Sequence, residues 1–404
     1  MRIRIEPGAA VGTAPAPPSK SFGHRALICA ALSDGESFIR NVPDNQDMDA
    51  TLDCLCAMGI PWTRSECGVR VRGGNRDALR DAVFPCRESG STLRFLIPAG
   101  LARGGSMLFT GSERLLERGI PVYETLCREQ GILVERTDRG FLFRGKIRGN
   151  QFRISGRFSS QYVTGILLIL PLLGDGSWLE VLPPVESRPY IGITRAVMRT
   201  FGAGILEPEE NRFCLEKGAG YRASEYIVEG DWSGAAFFYA MNALGSRVLV
   251  TGLNPESIQG DRAILGHLQA LKSGEPAIDL SDCPDLGPAL FAVAAAENGA
   301  VFTGTERLRN KESDRVRCMT EELAKFGVCT EIGTDFVRVR QSILHTPDYV
   351  LFGHNDHRIV MALSVLMMLT GGELEGAEAV SKSFPGFFDQ IEELGVKVIH
   401  ETAG

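Results

Sequence analysis

One phrase recurs along this chain and limits what it can fold into. A helix-like stretch ends in glycine and is followed by a strand-like stretch, at Leu55-Cys-Ala-Met-Gly59, Leu126-Cys-Arg-Glu-Gln-Gly131, Val197-Met-Arg-Thr-Phe-Gly202, Leu271-Lys-Ser-Gly274, Leu323-Ala-Lys-Phe-Gly327 and Ile391-Glu-Glu-Leu-Gly395. From Gly59 to Gly395 the successive separations are 72, 71, 72, 53 and 68 residues. Glycine suits that position because the residue just past a helix often turns left-handed, which costs other residues more. After four of the copies a second alternating stretch follows, at 69–72, 140–144, 212–216 and 336–340. The pattern predicts an α/β chain built from βαβαββ units of about 70 residues. Helix, glycine and strand also follow one another in unrelated α/β proteins, so the regular spacing carries the reading. Three copies fall in each half, with a break at 228–231 before a helix over 233–243. At 404 residues two domains are expected, since single cores stop growing near ~250–300 residues.

Composition excludes several classes. A net charge of −7 argues against nucleic acid as a partner, while leaving room for a focused basic pocket. The apolar stretch 166–173 is far shorter than the ~20 residues needed to cross a bilayer, so no membrane association is expected. Residues 1–5 alternate like a strand and lack the apolar core of a signal peptide. The ten cysteines contain no Cys-x-x-Cys pair, so they read as reduced thiols of a cytoplasmic protein.

Several segments carry groups suited to anions. In Ser19-Lys20-Ser21-Phe-Gly-His-Arg25 the basic residues stand just before an apolar helix over 26–32, whose N–H groups suit a phosphate or carboxylate. A capped helix with solvated basic residues fits that segment equally well. Glu88-Ser-Gly90-Ser-Thr-Leu-Arg94 reads as a glycine turn into an apolar helix over 95–99, where a ligand can approach the backbone closely. Ser159-Ser160-Gln161 precedes another apolar helix, and capping is the commoner use of such serines. Arg118, Arg307, Lys311, Arg315, Arg358 and Lys382 are the remaining candidate cations, although any one alone is more often solvated. Asp285 and Glu312 are the carboxylates suited to acid–base work, with capping or surface roles as the ordinary alternative. His357 reads as structural. No serine elbow, HExxH or dinucleotide glycine motif occurs.

In this order, and from Lys20 to Lys382, the segments resemble the 5-enolpyruvylshikimate-3-phosphate synthase family; Ser187-Arg-Pro-Tyr190, Pro284-Asp285, Lys311-Glu-Ser-Asp-Arg315, Asn355-Asp-His-Arg358 and Lys382-Ser-Phe-Pro385 complete the match. The resemblance implies two domains, each of three βαβαββ units about a pseudo-threefold axis, the inside-out α/β barrel of enolpyruvyl transferases. It divides the chain into 1–13 plus 229–404, bearing Asp285, Glu312 and Lys382, and 14–228, bearing Lys20, Arg118 and Gln161. It implies that shikimate-3-phosphate meets Lys20, Ser21, Arg25, Ser159, Ser160, Gln161, Ser187, Tyr190, Asp285, Arg307 and Lys311, with Arg307 where the family usually has another residue. Phosphoenolpyruvate is implied at Lys20, Gly90, Arg118, Gln161, Arg315, Arg358 and Lys382. Asp285 is implied to take the 5-hydroxyl proton, and Glu312 with Lys20 or Lys382 to move protons at the methylene and phosphate. No metal or organic cofactor is implied, and a monomer is expected. The chain departs from the family's Gly-Asn-Ala-Gly-Thr at Arg87-Glu-Ser-Gly-Ser91, which leaves Glu88 without an expected role.

Two rival readings are open. The sister enzymes that act on a UDP-linked amino sugar carry cysteine or aspartate in the loop matching 111–121 and Lys-Ser-x-Asn near their start. This chain has neither in that loop and reads Lys20-Ser-Phe-Gly-His24. A non-catalytic anion-binding homologue is expected to have lost Asp285, Glu312 or some of the arginines, and all are present.

Overall fold

Six short sheets account for the six phrases. The structure, a computed structural model, describes residues 1–401. Five of the sheets share one order of pairing, a parallel pair whose second strand takes two further antiparallel strands, and in three of them the parallel strands are joined across a helix and the antiparallel strands form a hairpin. Thus Leu79–Pro85 pairs in parallel with Gly105–Thr110, whose other edge takes Gly140–Gly145 and then Leu133–Arg136. The helix across each parallel pair is apolar all round and therefore buried, whereas the next helix is amphipathic and faces solvent on one side. Gly90–Arg103 and Ser160–Leu173 are buried along nearly their whole length, while Pro121–Glu129 and Arg188–Thr200 keep exposed polar faces. Among the described residues no sheet closes into a barrel.

The chain falls into two units with separate apolar cores: a continuous unit, Pro18–Glu229, and a split unit formed by Met1–Pro17 with the chain from Gly230 on. The first crossing lies later than the expected residue 13, because Val11–Pro15 pairs in parallel with Arg247–Thr251 and so belongs to the split unit through Pro17. The first strand, Arg2–Ile5, lies between Gly372–Glu375 and Val398–Glu401.

The pair of Val11–Pro15 and Arg247–Thr251 is the whole of the sixth sheet. Its hairpin is missing: after Gly274 the chain passes directly to Ala277–Asp279, the first strand of the next sheet. This is why Gly274 and Gly327 are only 53 residues apart. On the edge that a hairpin would have covered, one side chain takes both backbone groups of Val248. Asn242 accepts from the Val248 N–H at 2.7 Å and donates to the Val248 carbonyl at 2.8 Å. Unpaired edge groups invite strand addition from other chains, and an amide that satisfies both removes the invitation.

Two helix starts differ from expectation. The helix expected over 26–32 begins at Lys20, and the one expected over 95–99 begins at Gly90. Ser89 caps the latter by accepting from the Thr92 N–H at 3.2 Å, so Gly90 is a first-turn helical residue rather than the apex of a turn. Packing of the apolar faces carries both helices back through the glycine and serine that weaken the local signal.

Replacing Asn242 by leucine leaves the Val248 N–H and carbonyl without these bonds. Urea unfolding should show a loss of about 1–3 kcal/mol; an unchanged midpoint would mean that the edge is closed by something else.

Candidate active site

In the continuous unit the starts of three buried helices meet. Lys20 opens the first, Lys20–Leu32, and its ammonium is held 2.9 Å from Asp47. Gly90 opens the second, and Ser160, capped by Ser159, opens the third. Gln161 ties the second and third together, accepting from Arg94 Nη1 at 3.1 Å and donating to Ser91 Oγ at 3.1 Å. A Cβ on Gly90 would come within 2.8 Å of Arg94 Nη1 and 3.1 and 3.3 Å of Arg118 Nη1 and Nη2. A side chain at Gly90 would therefore push aside two guanidinium groups lying against the helix start, while the backbone itself is not left-handed there. Two arginines thus lie beside the positive end of this helix.

Arg25 has a different setting. It is 3% exposed, and its guanidinium donates to Thr194 Oγ1, the Ser21 carbonyl, Thr164 Oγ1 and the Tyr190 carbonyl at 2.7–3.2 Å. Burial lowers its pKa to about 10. The structure thus places Arg25 behind Ser21 and Tyr190, fixing both backbones. Ser187 stands at the start of Arg188–Thr200 in a left-handed conformation (φ 57°), buried, one turn from Tyr190.

The split unit gathers the other candidates around Arg315. This residue is 1% exposed and donates to Asp356 Oδ2 at 2.8 Å, Asp285 Oδ1 at 2.8 Å and Glu312 Oε2 at 2.9 Å. Asp285 also meets Lys311 Nζ at 3.2 Å and Arg358 Nη2 at 3.3 Å. Burial alone would raise the Asp285 carboxyl, but Arg358, Lys311 and Arg315 outweigh it and hold it well below the usual carboxylate range. Lys382 is 6% exposed and donates to the Asn355 carbonyl at 2.5 Å. Arg307 lies on the short 3₁₀ turn Glu306–Asn310 that leads into Lys311.

Three acids that sequence reasoning passed over belong to this cluster. Asp356, fully buried, caps His357–Thr370 and accepts from Arg315 and Ser313. Asp231 caps Trp232–Ala243 by accepting from the Gly234 N–H at 2.8 Å. Burial pushes the Asp261 carboxyl up to about 7, with Asp285 and Asp231 adding to the rise and Arg358 opposing it. Capping motifs at Asp231 and Asp356 were visible in sequence; nothing marked Asp261. The turn before Asp356 is fixed from behind. His354 and Asn355 are both left-handed (φ 50° and 53°), and His354 Nε2 lies 2.9 Å from the buried Glu322 carboxylate, which also accepts from the Phe352 N–H. Hydrogen bonding to Cys318 and Glu322 raises the His354 pKa to about 9, so it is cationic at neutral pH.

Fold and side chains together define a two-unit α/β protein with two arginines against a helix start in one unit and a buried cluster of acids and bases in the other. The family model for EPSP synthase (3-phosphoshikimate 1-carboxyvinyltransferase) matches residues 6–391. A 3-phosphoshikimate 1-carboxyvinyltransferase of Clostridium kluyveri is 35% identical over 429 aligned residues, covering 100% of this chain and 99% of the relative. One of Methanoculleus marisnigri is 37% identical over 418, covering 97% and 99%. Among solved structures, EPSP synthase of Acinetobacter baumannii superposes with a TM-score of 0.79 at 23% identity, covering 99% of this chain and 100% of that one. The enolpyruvyl transferase NikO of Streptomyces tendae gives 0.76 at 16%, covering 100% and 99%, and these two speak for the fold. This chain belongs to the EPSP synthase family.

Asp261 offers a pH test. Its folded carboxyl keeps its proton up to about pH 7, whereas an unfolded aspartate loses it near pH 4, so this group's contribution to stability falls as pH rises through that window. Asp261→Asn removes the dependence. Its melting temperature relative to wild type should therefore rise from pH 4.5 to pH 8, and a constant difference would contradict the raised pKa.

Proposed function

We propose that this chain transfers the enolpyruvyl group of phosphoenolpyruvate to the 5-hydroxyl of shikimate-3-phosphate, releasing inorganic phosphate, in the pathway to chorismate and the aromatic amino acids. The observation that carries the reading is the Asp285 carboxylate, held among Lys311, Arg315 and Arg358. An ionised carboxylate of depressed pKa is a weak base. Anionic substrates that engage those cations weaken their hold on Asp285, so its basicity rises when substrate is present.

In this reading Asp285 takes the 5-hydroxyl proton as the oxygen attacks the enol carbon of phosphoenolpyruvate, while the methylene gains a proton to become methyl. Glu312, with Lys20 or Lys382, handles that proton. The tetrahedral ketal then loses a methyl proton and expels phosphate, restoring the carbon–carbon double bond. Shikimate-3-phosphate lies against Ser21, Ser159, Ser160, Gln161, Ser187, Tyr190, Arg307 and Lys311. Phosphoenolpyruvate lies against the Gly90 helix start, Arg118, Arg315, Arg358 and Lys382. Fixed charges placed where charge develops supply the stabilisation. We further propose a cytoplasmic monomer. Ten free cysteines accord with a reducing compartment, and among the described residues no helix is long and apolar enough to cross a membrane.

The direct experiment is phosphate release from phosphoenolpyruvate, with shikimate-3-phosphate as acceptor in one arm and a UDP-linked amino sugar in the other. Release in the first arm alone supports the reading, and release in the second alone replaces it with the sister activity. In that assay Asp285→Ala should lower kcat by about 10²–10⁴-fold, the usual contribution of a positioned acid or base. Turnover within threefold of wild type would remove Asp285 from the role. Gly90→Ala drives a methyl against Arg94 and Arg118, so it should weaken inhibition by glyphosate, a phosphonate competing for the donor site, more than it raises KM for phosphoenolpyruvate. An unchanged ratio of the two constants would place the phosphonate elsewhere.

A further inference from the structure

We infer that His24, Thr51 and Thr92 form a buried hydrogen-bond relay that positions the Gly90 helix start relative to the helix carrying Lys20. The inference rests on the reading that phosphoenolpyruvate is held at Gly90. His24 Nδ1 lies 2.8 Å from Thr51 Oγ1, Thr51 Oγ1 lies 2.7 Å from Thr92 Oγ1, and Thr92 Oγ1 lies 2.7 Å from Ser89 Oγ. None of the four is more than 1% exposed. They come from Lys20–Leu32, Gln46–Ala57 and the Ser89-capped Gly90–Arg103.

Packing alone does not ask for these groups. Valine matches threonine in shape, and burying a hydroxyl among apolar neighbours is unfavourable unless it is hydrogen-bonded. The relay also has a direction. Each hydroxyl carries one hydrogen and Thr92 donates its own to Ser89, so all three contacts are filled only when donation runs from His24 Nδ1–H through Thr51 and Thr92 to Ser89. Burial, with Lys20 and Arg25 nearby, lowers the His24 pKa well below its ordinary value, so the ring is neutral and its tautomer sets that direction. At its far end the relay meets Ser89 Oγ, which fixes the first turn of Gly90–Arg103 by accepting from the Thr92 N–H. Gln46–Ala57 thus acts twice: Asp47 holds the Lys20 ammonium, and one turn later Thr51 holds the Gly90 helix. The relay residues are positioning residues, acting through Ser89 on Gly90 and Arg94.

Four variants test this. Thr51→Val removes the middle hydroxyl and keeps its shape, while Thr51→Ser keeps the hydroxyl. His24→Asn places an amide where Nδ1 stands, and His24→Gln places it nearer Nε2. Loss of a buried hydrogen bond corresponds to about fivefold, so Thr51→Val and His24→Gln should raise KM for phosphoenolpyruvate about 5–10-fold while KM for shikimate-3-phosphate stays within twofold. Thr51→Ser and His24→Asn should stay within twofold of wild type for both. Equal rises in both KM values, or failure of the conservative pair to rescue, overturns the relay. If wild-type enzyme releases no phosphate from this substrate pair, the functional reading fails separately. Amide exchange then decides the relay: Thr51→Val should speed exchange at residues 90–94 and not at 162–166, and unchanged exchange at 90–94 overturns it.

Discussion

A helix that is apolar on every side has to be buried along its length, yet its first-turn N–H groups find no partners within the helix. Every repeat here meets that constraint with the same inner helix, and the candidate site residues stand at the starts of those helices. Lys20, Gly90 and Ser160 open three of them in the continuous unit. In the split unit Asp231 and Asp356 cap two, and Asp285 lies on the 3₁₀ turn leading into the third, Gly287–Ala296. Aspartates accept from these starts at two helices of the split unit, and Ser89 and Ser159 accept from them at two helices of the continuous unit. Repetition of the fold therefore repeats the site-forming position.

Charge burial is the second constraint, and it explains why neighbouring aspartates differ. Removing Arg315 from water is costly unless each guanidinium nitrogen finds an acceptor, and three carboxylates provide them. Asp285 and Asp356 are held ionised by the same contacts. Asp261 shares the burial and faces Asp285 and Asp231, which outweigh Arg358 and Ser233, so its proton is retained to about pH 7. A base kept charged and an acid kept nearly neutral thus arise from one set of contacts. An anion arriving at Arg358 or Lys311 acts on both.

The repeats, their number and the break between halves were legible because glycine after a helix is a local signal. The short interval before Gly327 was legible as an irregularity, but nothing local told that a hairpin was missing. Helix starts at Lys20 and Gly90 were read late because Gly23, Ser89 and Gly90 weaken local propensity, and packing decided the outcome. The candidate cations were visible as residue types, yet their partners were not: Arg315 and Asp356 are 41 positions apart, as are Thr51 and Thr92. Arg25 shows the same limit, since a basic residue beside Lys20 gives no sign that Thr194, 169 positions on, will hold its guanidinium.

The sixth repeat separates what the hairpins do from what the helix starts do. It has lost two strands, and its sheet is reduced to Val11–Pro15 with Arg247–Thr251. Its inner helix, Trp232–Ala243, is nonetheless buried and still begins at Asp231, whose charge reaches Asp261. In the hairpin's place stands the amide of Asn242, near the end of that same helix and about three turns from Asp231 at its start. Hairpins extend the sheets outward, and their loss can be closed by a single side chain. A helix start cannot be replaced that way, because its cap and its N–H groups lie in one turn of chain, as Asp231 and Gly234 do, and that turn has to be buried as a unit.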